Sequence, residues 1–214
     1  MGLFGGSVKK LEQSGDVYGL VKRLLDSDGH LGEVRSIGIV AALGRLGSSA
    51  VPPLLLALDE GHPGVPAALA RIGEASLAGL AGELRQENPQ AQRGAALAIL
   101  IMAAHRNEIS EEALDALKFV KDSSPYFAVV VFAVAALGAH YSGGRSVRRM
   151  ERYVEAERPR RALIAEEDPA GDESSRWVLS AARLAYPQDP DSCYQAGDAL
   201  IYARVGCKKA AKVS

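Results

Sequence analysis

Five prolines fall at one place in a repeating apolar frame, and this limits what the chain can fold into more than any other feature. His62-Pro63, Asn88-Pro89, Ser124-Pro125, Arg158-Pro159 and Asp189-Pro190 each precede a stretch with helical spacing. Proline suits a first helical turn because the N–H it lacks has no partner there. Asn88, Ser124 and Asp189 add side-chain oxygens able to cap that turn. Twelve, nine and five residues before each proline stand Val51, Leu54, Leu58; Leu77, Leu80, Leu84; Ala113, Ala116, Val120; Val147, Met150, Val154; and Val178, Ala181, Ala185. Every one is apolar. The same frame holds Val17, Leu20 and Leu24 near the start, with Gly29 in the proline's place. Six units share this register, each predicted as a constant first helix, a short turn and a second helix of variable length. The proline spacings of 26, 36, 34 and 31 residues absorb that variation.

Apolar residues recur at i, i+3, i+4 and i+7 with no alternating strand pattern, so the expected class is all-α, a solenoid of stacked antiparallel helix pairs. The chain reads as one domain with well-patterned repeats over 1–141, a polar and degenerate unit over 142–173, a terminal helix pair over 174–205 and a basic tail over 206–214. With 25 Lys plus Arg against 26 Asp plus Glu in 214 residues, the net charge is −1, which lacks the basic field of a dedicated nucleic-acid binder. Cys193 and Cys207 would lie about 21 Å apart on one helix, too far for a disulfide, so reduced thiols in a cytoplasm are expected. The start of the chain carries no convincing targeting signal, since Gly6 stands where myristoylation needs Ser or Thr. The longest apolar run, 126–139, falls short of about 18 residues, so no membrane span is expected. It is predicted as a buried helix; the alternative is an exposed apolar groove or self-association face.

The segments Glu33-Val34-Arg35, Ala42-Leu43-Gly44-Arg45-Leu46-Gly47-Ser48-Ser49-Ala50-Val51-Pro52-Pro53-Leu54 and Ala68-Leu69-Ala70-Arg71-Ile72-Gly73 resemble HEAT repeats of the phycobilin-lyase-like type. The opening Lys9-Lys10-Leu11-Glu12 through Gly15-Asp16-Val17 is similar to the first helices of prokaryotic proteins of this kind. The motif is good over about 16–101. The resemblance implies a curved solenoid whose second helices line a concave side. The family's Asp and Arg recur incompletely, with only Arg35 and Arg93 holding the arginine and, at the five repeat-start prolines, only Asp189 standing as Asp before its proline.

Catalytic chemistry is hard to find. No P-loop, dinucleotide fingerprint, nucleophile elbow or zinc-protease motif is present, and His30, His62, His105 and His140 are not followed by Glu, which removes the His-Glu iron dyads of some HEAT-repeat enzymes. His105 and His140 fall near the ends of adjacent second helices, where a histidine suits the helix dipole; a shared metal lacks further ligands. Ser110, Glu111 and Glu112 read as a helix start. Arg145, Arg148, Arg149, Arg152, Arg158, Arg160 and Arg161 face only Glu151, Glu155 and Glu157, and Glu166, Glu167, Asp168, Asp172 and Glu173 follow without a base. A solvated helix answered by its neighbouring loop is the bland account; a surface for an acidic partner or for phosphates is the functional one. Of these, Arg145, Arg148, Arg149, Arg152, Arg160 and Arg161 are the candidate partner-binding residues. The sequence is read as a non-enzymatic protein-binding scaffold without catalytic residues, cofactor or metal. The alternatives are a lyase or other enzyme subunit using the concave face, and a nucleic-acid binder using the arginine patch.

Overall fold

The computed structural model describes residues 7–27, 34–142, 152 and 171–211, and every regular element among them is helical. Helices α1 (Val8–Ser14), α2 (Val17–Leu25), α3 (Val34–Leu46), α4 (Val51–Leu56), α5 (Gly64–Ile72), α6 (Glu74–Leu84), α7 (Pro89–Ala104), α8 (Glu111–Ser123) and α9 (Phe127–Ser142) are followed by α10 (Gly171–Ala185) and α11 (Pro190–Ala211). Short 3-10 turns at Gly47–Ala50 and Ala57–Glu60 flank α4.

The apolar triplets build one row. Val17, Leu20 and Leu24 of α2 are buried, as are Val51, Leu54 and Leu58 around α4, Leu77, Leu80 and Leu84 of α6, and Ala113, Ala116 and Val120 of α8. Helix α2 packs on α4, α4 on α6 and α6 on α8; behind them α3 packs on α5, α5 on α7 and α7 on α9. Each fully buried Leu contributes about 1.5–3 kcal/mol, so the triplets bind each first helix to its neighbours and to the second row. Val147, Met150 and Val154 lie outside the described residues.

Helix starts follow the chemistry of their caps. Asn88 Oδ1 accepts from the N–H groups of Gln90 (3.1 Å) and Ala91 (3.2 Å), with Pro89 as the first residue of α7. Asp189 Oδ1 accepts from Ser192 N at 3.2 Å ahead of α11, and Ser110 Oγ accepts from Ala113 N at 3.4 Å ahead of α8. Ser124 differs from expectation. It closes α8, α9 begins at Phe127, and the Ser124 hydroxyl accepts from Tyr126 N at 3.3 Å.

The last helix pair does not extend the rows. Val178, Ala181 and Ala185 are buried as their register requires, but α10 packs on α5, α3 and α7, while α11 packs on α9 and α7. The pair therefore forms a third layer over the second helices, the side expected to stay open. The cause lies in α7 and α9, where every residue over 94–104 and 129–139 is buried. Helices apolar all round need cover on every side, and two rows leave one side wet. The 129–139 part of the apolar run is inside the molecule, as the buried-helix expectation has it, with Val131 4% exposed; the alternative of an exposed groove does not hold there.

By length and composition alone, Arg35–Glu60 is apolar enough to cross a membrane. The chain changes rows within it, from α3 to α4 through Gly47–Ala50, with Gly47 at φ +62°, so the stretch is two short helices. Gly44 serves packing instead, because a Cβ there would collide with the stem of Arg71 where α3 and α5 meet.

Candidate functional site

The densest polar constellation sits where the third layer meets the second row. Helix α7 ends at His105, and Arg106 at φ +62° turns the chain, with Asn107 N donating back to Met102 O at 2.9 Å. This aims His105 and Asn107 at the α10–α11 turn. The His105 ring stacks on Tyr186 with centroids 3.5 Å apart and planes 15° from parallel. Its Nδ1 lies 2.8 Å from Asp189 Oδ2 and 3.1 Å from Ser192 Oγ. Asn107 Nδ2 donates to the Tyr186 hydroxyl at 3.0 Å, and that hydroxyl donates to Ala70 O at 2.9 Å. Arg71 Nη1 donates to Ala185 O at 2.6 Å, answering a free carbonyl at the end of α10.

Serine, aspartate and histidine meet at this turn, and their bonds converge on the carboxylate. Ser192 Oγ donates to Asp189 Oδ2, the oxygen that also faces His105 Nδ1. The hydroxyl of Ser192 is thus bonded to the carboxylate, on the same oxygen that the imidazole approaches. Asp189 is a helix cap that gathers donors. The Ser192 hydroxyl foremost, then its N–H and His105, hold the Asp189 carboxyl below its usual range. Burial pushes the Tyr186 phenol up.

A second anchor fastens the middle of α10. Trp177 Nε1 donates to the carbonyl of Gly61 at 3.1 Å, Arg93 lies 4.6 Å from the Trp177 ring centroid, and Phe132 meets that ring edge-on at 5.7 Å. Gly61 adopts φ +67° to end the turn after α4, which presents its carbonyl. Near the start of α9 a pocket is lined among the described residues by Phe127, Ala128, Val131, Phe132 and Leu200, with Ser174 and Arg204 as polar groups.

His140 has surroundings of its own. It is half-buried, meets Tyr141 edge-on at 5.1 Å, and burial holds its imidazole below the usual value. Among the described residues no group of three or more His, Cys, Asp or Glu could hold a metal ion. Cys193 and Cys207 are both buried thiols on α11. Arg152 is exposed and helical; Arg145, Arg148, Arg149, Arg158, Arg160 and Arg161 lie outside the described residues, as do Glu166, Glu167 and Asp168.

Tyr186, Trp177, Arg71 and Asn107 carried no sequence signal of their roles. Their partners are 79 to 116 residues away, and three of the four contacts end on backbone carbonyls. Compared with known proteins, the chain matches no family model, and neither a curated protein nor a solved structure is similar to it.

Proposed function

We propose that this chain is a non-enzymatic adaptor that binds another protein on the outer surface of a HEAT-like helical solenoid, working in a cytoplasm with both thiols reduced. The observation that carries the reading is a stripe of large apolar side chains on the solvent side of α11, where Tyr194 is 65%, Ile201 52% and Val205 47% exposed. Residues at i, i+7 and i+11 share one helix face, and apolar groups kept in water on one face are what a partner surface requires. Leu56, at 78% exposure, and Phe119 add apolar side chains on the first-helix row. The polar constellation at His105 is consumed by internal bonds, which favours adaptor over enzyme. Capture from native lysate with immobilised protein tests this, comparing wild type with the Tyr194→Ser, Ile201→Ser, Val205→Ser variant. Partners held by wild type and lost from a variant with an unchanged melting curve support the reading. Equal capture by both proteins removes α11 as the binding face.

A further inference from the structure

We propose that the water-facing side of the first-helix row, over α4, α6 and α8, is a docking groove for a lysine- and arginine-rich amphipathic helix of a partner protein. It is a second face, separate from the α11 stripe, and does not depend on what that stripe binds.

The third layer covers the second-helix row, which leaves the opposite side of the first row to water. There α6 lies between α4 and α8. Its exposed Ala75, Ala78 and Gly82 fall at i, i+3 and i+7 and share one face, and a Cβ on Gly82 would meet nothing within 4 Å. Larger side chains stand on the flanking helices, with Leu56 of α4 78% and Phe119 of α8 53% exposed. Neighbouring helices pack about 8–10 Å apart, so α4 and α8 lie about 16–20 Å apart, and a trough of that width over small residues admits one helix of about 10–12 Å diameter.

Charge names the occupant. Residues 51–61, 73–88 and 105–124, which make up these helices and their bordering turns, hold ten carboxylates against four Lys or Arg, a local −6 in a chain of net −1. Nine of the ten carboxylates are exposed, and three of the four cations, Arg85, Lys118 and Lys121, already pair with Glu112, Asp115 and Asp122. The tenth carboxyl, Glu83, is pushed up by burial and by Asp59 beside it. A field of this sign repels phosphates and attracts a cationic segment, and Leu56 and Phe119 offer that segment apolar anchor points. An exposed leucine or a patch of carboxylates alone is ordinary on a protein surface. Their combination along one trough selects a helix that is basic on its flanks and apolar on its underside.

The probe is a leucine-lysine peptide with its leucines on one helical face, titrated into full-length protein by fluorescence anisotropy at two salt concentrations. Its controls are a leucine-glutamate peptide of the same pattern and a serine-lysine peptide without apolar residues. The leucine-lysine peptide should bind at least about tenfold more tightly than either control and weaken steeply as salt rises. The Leu56→Ser, Phe119→Ser variant should lower its affinity about tenfold. The Glu60→Gln, Glu74→Gln, Glu87→Gln variant should lower both the affinity and its dependence on salt. All five substitutions change exposed side chains, so the melting curves should stay in place. The Tyr194→Ser, Ile201→Ser, Val205→Ser variant should bind as wild type does, which separates this groove from the α11 face. Affinity that survives the Leu56, Phe119 change, that the serine-lysine peptide equals, or that is lost with the α11 variant overturns the proposal. So does a groove filled by a second copy, seen in sedimentation as a dimer that the Leu56→Ser, Phe119→Ser variant no longer forms.

Discussion

At the scale of single residues, His62 shows how a half-buried imidazole is fixed in one form. Its Nδ1 accepts from Gly64 N at 3.1 Å, so the proton is on Nε2, which donates to Ser27 O at 3.0 Å. Burial holds its affinity for a second proton below the usual value, and His140 is shifted the same way for the same reason. In the unfolded chain both would titrate near 6.5. Between that pH and the lower folded value the unfolded state binds more protons, so stability is fully present above about 6.5 and is lost as the pH falls through the folded values. A melting series from pH 8 to pH 5 should show this fall. His62→Gln, which keeps a donor toward Ser27 but cannot take a proton, should flatten it; an equally steep fall in that variant would place the effect elsewhere. Val131, inside α9, gives a larger effect. Val131→Asp buries a carboxylate with no partner and should cost about 4 kcal/mol, measured as early melting or loss of soluble protein.

At the scale of helices, caps and junctions explain why the first helices were readable. Asn88 does two jobs, since its Oδ1 caps α7 while its Nδ2 donates to Asp59 Oδ1 at 2.7 Å. Asn88→Ala should lower stability by about 1 kcal/mol in denaturant titrations. Asn88→Asp keeps a good capping oxygen, yet it loses the donor and sets a second carboxylate against Asp59. Burial and Asp59 already push the Glu83 carboxyl up nearby. The aspartate variant should therefore fail to recover full stability, and the shortfall should shrink as salt is added. First helices were legible because three apolar residues and a capped proline form a local signal. The third layer was not, because a helix face that packs on a distant row carries the same periodicity as one that packs on its neighbour. Sequence did hold one indirect sign: a 126–139 run without a polar side chain demanded cover that two rows cannot give.

At the scale of the molecule, charge bears on the competing nucleic-acid reading. With a net charge of −1, phosphate binding would have to come from the arginines between positions 145 and 161. Fluorescence anisotropy with single- and double-stranded DNA and RNA at two salt concentrations should give little or no binding near physiological ionic strength. Submicromolar binding that weakens steeply with salt and disappears in Arg148→Ala, Arg149→Ala, Arg152→Ala would raise that reading above the adaptor. The candidate site itself was legible only in its parts. His105 and the Asp189 cap stood out in the sequence, but nothing local joins them, since they are 84 residues apart and meet only once the third layer is in place.

The position of that layer along the chain has a consequence for biosynthesis. Helices α7 and α9 emerge from the ribosome well before α10 and α11, so a nascent chain carries an uncovered apolar row until that helix pair is made. At roughly 5–20 residues per second, the interval between completing α9 and completing α11 is on the order of 3–14 seconds. During that window the chain resembles an aggregation-prone intermediate, and premature termination anywhere in it leaves that state permanent. Ribosome pausing between α9 and α11, or loss of chaperones that shield nascent apolar surface, should therefore reduce the yield of this protein more than its folded stability suggests.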